Sequence, residues 1–158
     1  MRDAPSRCST CGVELVGGVR AAPGVDAGPF LEFHETWRDA VLAREWDQFA
    51  ALFADNMEYA SYMTGFSFRL SGRKEFVSLL AELFAREANV LDEILDVRGQ
   101  WCVARLHIFG PGDDDIGPWD MGRVRLVRMD GGLCTGLEVY DETDIRRAQA
   151  RLNEVAGG

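Results

Sequence analysis

The chain has 158 residues, enough for one domain with a substantial core. Its composition, 47% hydrophobic and 27% charged, is that of a globular protein, and no run approaches the roughly 18 apolar residues a membrane span needs. A formal net charge of −9 and no dense Lys/Arg cluster argue against nucleic acid and against an anionic membrane surface as partners.

The first 28 residues differ from the rest. "MRDAPSRCST" has no apolar stretch behind its arginine, so it does not read as a secretory signal, and a cytoplasmic location is expected. "GVELVGGVRAAPGVDAG" is rich in Gly, Ala and Pro and lacks aromatic residues. Residues 1–28 therefore read as an arm or flexible linker, and 29–158 as the folded domain. The arm carries "CSTCG". Two thiolates turned by a following glycine, Cys8 and Cys11, supply half of a tetrahedral zinc site. A second copy of the knuckle in a dimer would complete it; a redox-labile or solvent-exposed pair is the alternative. Cys102 and Cys134 fall inside predicted strands and read as small core residues.

From Pro29 onward Phe30, Phe33, His34, Trp37, Ala40 and Val41 recur at helical spacing, and proline suits a first-turn position. "EWDQFAALFA" predicts a second helix with Trp46, Phe49, Ala50 and Phe53 on one stripe. "DNMEYASYM" turns to strand character. "SGRKEFVSLLAELFAREA" predicts a third helix, with Ser71 as N-cap and Phe76, Leu79, Leu80, Leu83 and Phe84 facing inward. Strands follow near 90–97, 100–109, 119–129 and 133–140, and "GPGDDDIGP" and "DGG" are the turns between the last three. The acidic "GDDDIG" lacks the terminal bidentate Glu of a calcium loop and reads as a solvated tip. "DETDIRRAQARLNEV" closes the chain as a helix, capped by Asp141 or Thr143, with Ile145, Ala148 and Leu152 buried. The class is α+β, three helices ahead of an antiparallel sheet.

The stretch "WRDAVLAREWDQFAALFADNMEYAS…LSGRKEFVSLL", with the tail "RMDGGLCTGLEVYDETD", resembles the nuclear transport factor 2-like superfamily over about residues 30–155. The resemblance implies a curved antiparallel sheet wrapped by helices into a cone, with a pocket inside. It also points to the SnoaL-like branch of polyketide cyclases and limonene epoxide hydrolases. The superfamily contains non-catalytic domains as well, so the fold leaves function open. The ketosteroid isomerase pattern fails here, because its base, tyrosine and second aspartate fall near Ser61, Trp37 and Gly122. The limonene epoxide hydrolase pattern fits in part: Tyr59 and Ser61 match a Tyr/Asn pair, Arg105 and His107 an Arg/Asp pair, and Glu138 a second aspartate.

Arg105 and His107 share one strand face. With that face lining the cone, His107 serves as acid/base near neutrality and Glu138 holds its tautomer. Arg105 and Tyr59 stabilise a developing oxyanion. This catalytic set suits cyclisation, dehydration, isomerisation or epoxide opening without a cofactor. A buried Arg105–Glu138 ion pair with His107 bonded to backbone is the alternative. Trp37, Ser61, Trp101, Trp119, Met121 and His34 are candidate pocket residues for a hydrophobic substrate, although His34 also reads as a core histidine. The competing reading is a non-catalytic ligand-binding or accessory domain, since "LEVYDETDIRRAQARLNEV" resembles the tail of such domains on bacterial regulators. By analogy with the fold, a homodimer through the exposed sheet is expected.

Overall fold

A computed structural model describes residues 7–157. Helix α1 (Pro29–Ala43) begins on Pro29 and buries the six residues its spacing predicts, from Phe30 to Val41. Helix α2 (Trp46–Ala50) is shorter than its apolar stripe suggests. Phe53, assigned to that stripe, opens strand β2 (Phe53–Met63) and still packs on Phe49 and Phe76 from there. Strand β3 (Phe66–Ser71) returns through a two-residue Thr64–Gly65 turn, with Gly65 at φ 81°. A positive φ of that kind is what glycine supplies at no steric cost. Helix α3 (Arg73–Leu83) is preceded by Gly72, so the expected Ser71 cap is not made. Ser71 ends β3, and its hydroxyl donates to Glu58.

Strands β4 (Asn89–Arg98), β5 (Trp101–Gly110), β6 (Trp119–Asp130) and β7 (Leu133–Asp141) form a meander at nearly the predicted positions. A short 3-10 turn (Glu142–Asp144) leads into α4 (Ile145–Val155). Neither Asp141 nor Thr143 caps α4. The residue before the helix is Asp144, and the Asp141 carboxylate accepts from Thr64 instead.

The arm departs most from its linker composition. Gly18–Ala21 form strand β1, which pairs in parallel with β4. The arm before Arg7 lies outside the described residues. The resulting seven-stranded curved sheet runs β1-β4-β5-β6-β7-β2-β3. It is antiparallel except for β1/β4 and β2/β7, so it is mixed rather than purely antiparallel. No helix among the described residues is long and apolar enough to cross a membrane.

Both faces of the sheet are covered. Helices α1, α2 and α3 close over the inner face, where Ile94, Cys102, Ala104, Leu106, Ile108 and Val127 join the aromatic cluster of Phe30, Phe33, Trp37, Phe49, Phe53 and Phe76. On the outer face α4 sets Ala148 and Leu152 against Val103, Val124, Leu126 and Tyr140. Beside it the arm sets Cys8 and Leu15 against Leu91 and Phe109. Two-sided burial explains why β5 reads apolar on both of its alternating sets. Leu152 is fully buried, so Leu152→Ala should cost about 2–4 kcal/mol by the usual transfer and cavity terms. Urea unfolding is the check. A loss below about 0.5 kcal/mol would mean that α4 contributes nothing to the outer layer.

Candidate active site

The alternation of β4, β5 and β6 decides which polar groups enter the cone. Inward positions are Asp92 on β4, Leu106 and Ile108 on β5, and Met121, Arg123 and Arg125 on β6. Asp92 and Arg125 reach across the intervening strand past Ala104, whose methyl group leaves room for them. They form a fully buried ion pair at the narrow end. The Arg125 guanidinium lies 4.6 Å from the Trp37 ring centroid, a cation–π contact that fixes its plane. His34 completes the group. Its Nδ1–H donates to the Phe30 carbonyl at 2.7 Å, and its Nε2 stands 4.0 Å from the Asp92 carboxylate. Burial lowers the His34 pKa from 6.5, with Asp92 raising it and Arg125 lowering it, so the ring is neutral at pH 7.

Above this floor lies a cavity of about 410 Å3 that opens toward the β2–β3 turn. Its walls are mostly apolar, including Phe68, Phe76, Leu79, Leu83 and Met121. The polar side chains on the wall are Tyr59, Arg123, Arg125, Thr64 and Asp141. Asp92 neutralises Arg125, but Arg123 has no ion-pair partner among the described residues, and its Nε makes no hydrogen bond. Burial lowers the Arg123 pKa, while Tyr59 acts on it in the raising direction. Tyr59 is buried against Phe68 and Phe76. Desolvation raises the pKa of its phenol, with Arg123, Arg125 and Ser61 opposing, so it remains a neutral donor. Asp141 lies opposite Arg123 on β7, at the mouth, held by the Thr64 hydroxyl at 2.7 Å.

The expected catalytic set does not assemble. Arg105, His107 and Glu138 all sit on the outer face, between inward-facing neighbours Ala104, Leu106, Ile108, Leu137 and Val139. Arg105 approaches Glu93 at 3.9 Å. Glu138 accepts from Tyr140 at 2.6 Å and from Arg151 at 3.2 Å. Their partners on β6, Gly122 for His107 and Leu126 for Glu138, are four residues apart, roughly 13 Å along the strand. His107 is instead buried under the arm, with Nε2 3.8 Å from Cys11 Sγ and 3.6 Å from Glu142.

Of the residues expected in the cone, Tyr59, Trp37 and Met121 line the cavity. Ser61 is buried on the same strand face and accepts from the Met63 N–H. His34 lies behind the floor. Trp101 is on the outer side under Arg128, and Trp119 packs beside the core without reaching the cavity. The sequence reading missed Asp92, Arg123, Arg125 and Asp141. "MGRVRLVR" carries the signal, two arginines in phase with an apolar set on the opposite face, but alternation cannot say which set points inward.

No family model and no curated protein matches the sequence. Solved structures do match the fold. A protein of ketosteroid isomerase-like fold from Catenulispora acidiphila, in complex with trimethylamine, is 18% identical with a TM-score of 0.58, covering 69% of this chain and 84% of its own. An LEH-like epoxide hydrolase from M. tuberculosis is 19% identical with a TM-score of 0.55, covering 78% and 86%. A protein provisionally assigned as a polyketide cyclase, from Xanthomonas campestris, is 14% identical with a TM-score of 0.52, covering 77% and 96%. The chain has the cone-shaped fold of the nuclear transport factor 2-like superfamily, and at these identities the likeness is one of fold.

The buried pair sets two expectations. Asp92→Ala leaves Arg125 uncompensated and should cost about 3–5 kcal/mol, whereas the double variant Asp92→Leu/Arg125→Met should recover most of that in denaturant titration. His34 has a folded pKa below 6.5, so its contribution is complete above pH 6.5 and is lost as pH falls toward the folded value. Melting curves of wild type and His34→Gln should therefore converge as the pH is lowered from 7 to about 5.

Proposed function

We propose that the protein is a cofactor-free enzyme that abstracts a proton beside a carbonyl in an apolar small molecule. In this reading the substrate oxygen sits against Arg123 and Tyr59, and Asp141 takes the proton. The observation that supports it most is Arg123, a cation with no ion-pair partner among the described residues. A guanidinium left without a counter-ion in a mostly apolar wall costs free energy, which a ligand oxyanion would offset. A half-buried Arg and a neutral phenol are preorganised donors for an enolate, which carries its charge only once the proton has left. Among the described residues Asp141 is the one acid on the cavity wall, and the Thr64 hydroxyl and N–H orient it. Isomerisation and aldol-type cyclisation both begin with this step. The fold neighbours include an epoxide hydrolase and a presumptive cyclase, so the fold is compatible with small-molecule chemistry.

A second reading, ligand binding without turnover, draws on Asp141 itself. Its carboxylate already accepts bonds from Thr64, and no other acid or imidazole among the described residues lines the wall. The homodimer expected from the resemblance would use whatever part of the outer face α4 and the arm leave open.

Deuterium exchange separates the two readings without knowledge of the product. Cyclic ketones and aromatic 1,3-diketones incubated with the protein in D2O should gain deuterium at the α-carbon, read by mass spectrometry. Asp141→Asn should slow exchange about 10^2-fold or more. Arg123→Met should slow it about 10^2 to 10^3-fold. Saturable binding with no exchange across the panel would favour the binding reading. Equal exchange in wild type and both variants would refute the assigned roles.

A further inference from the structure

We propose that Cys8, Cys11, His107 and Glu142 form a four-coordinate zinc site that fastens the N-terminal arm to the outer face of the sheet. The knuckle alone offers two thiolates. The fold brings it the other two ligands from β5 and from the 3-10 turn after β7. All four ligand atoms lie within 4.8 Å of one another. Cys8 Sγ is 3.2 Å from Glu142 Oε1, Cys11 Sγ is 3.8 Å from His107 Nε2, and His107 Nε2 is 3.6 Å from Glu142 Oε2. Zinc bonds of about 2.0–2.3 Å to O, N and S in a tetrahedron place the ligand atoms roughly 3.3–3.8 Å apart. The three separations lie close to that range.

The surroundings are those of a built site. The Thr10 and Cys11 N–H groups donate to Cys8 Sγ at 3.4 and 3.5 Å, which fixes the sulfur in place. Gly12, at φ 74°, turns the loop, and the Cys8 N–H closes it on the Val13 carbonyl at 2.9 Å. The His107 and Glu142 side chains are 2% and 7% exposed, so neither is an ordinary surface group. Among the described residues Glu142 has no arginine or lysine partner; its polar contacts there are Cys8 and His107.

Gly122, opposite His107 on β6, supplies a second, independent sign. A Cβ there would stand 2.2 Å from Glu142 Oε2, so a side chain at this position would displace the carboxylate from its present place beside the imidazole. Two soft thiolates with an imidazole and a carboxylate in tetrahedral array suit zinc better than calcium or magnesium. Four protein ligands leave no open position, so the role is structural.

The test is metal content and cobalt spectroscopy on the full chain, purified under reducing conditions from zinc-containing medium. One zinc per chain is expected. Cobalt replacement should give thiolate-to-cobalt charge transfer and the intense visible bands of a tetrahedral centre. Cys11→Ser, Glu142→Gln and Gly122→Ala should each weaken binding, by about 10-fold or more for the ligand changes. Circular dichroism identifies any variant that fails to fold; Cys11 is exposed, so its replacement carries the least risk. Metal-free protein that gives no cobalt spectrum, including one whose Cys8–Cys11 pair had oxidised and binds nothing after reduction, would overturn the proposal. Half a zinc per chain, or full retention in Glu142→Gln and His107→Gln, would also overturn it, because the two knuckles of a dimer would then hold the ion.

Discussion

The ion pair between Asp92 and Arg125 sets the depth of the cone. Two strands that are not neighbours, β4 and β6, are tied across β5 by charges with almost no access to water. Such a pair is stable only with its partner in place, since a lone buried charge costs several kcal/mol. Trp37 and His34 of α1 pack on it, so the same contact fixes the helix against the sheet. Cys102 and Phe53 lie in the core away from the cavity, whereas Arg125 and Trp37 form part of its wall.

This arrangement divides the interior charge. Arg125 is consumed by the floor, and Arg123, two residues nearer the mouth on the same face of β6, is left facing the cavity. The wall around it is apolar, so the effective dielectric is low and the remaining charge acts strongly on whatever enters. Burial raises the Tyr59 pKa, and Arg123 opposes that rise in part. A few polar side chains on a mostly apolar wall orient a ligand instead of merely holding it.

The outer face follows a different logic. In most curved sheets one face packs and the other meets water, but here α4 and the arm cover much of the second face. Polar groups on that face must find partners in the covering elements. Glu138 finds Arg151 of α4, and His107 finds Cys11 and Glu142. The arm is held by a short parallel strand and by a small apolar cluster around Leu15.

Much of the fold was legible in the sequence. Pro29 with the Phe30–Val41 stripe defines α1, the glycine-containing turns separate the last three strands, and the helix–strand order resembles that of the cone-shaped fold. Strand β3 was overlooked, although the Thr64–Gly65 turn between apolar residues was a hairpin signal. The candidate site was legible in residue types and illegible in direction. Strand alternation tells which side chains share a face, and burial on both faces removes the polarity that would say which face is inside. So the sequence by itself determined most of the helices, the four-strand meander and the shared strand face of Arg105 and His107, because these depend on local periodicity. Only the tertiary structure decided that Arg123 and Tyr59 enter the cavity while His107 meets the arm, because the curl of the sheet, set by long-range packing, chooses its concave side.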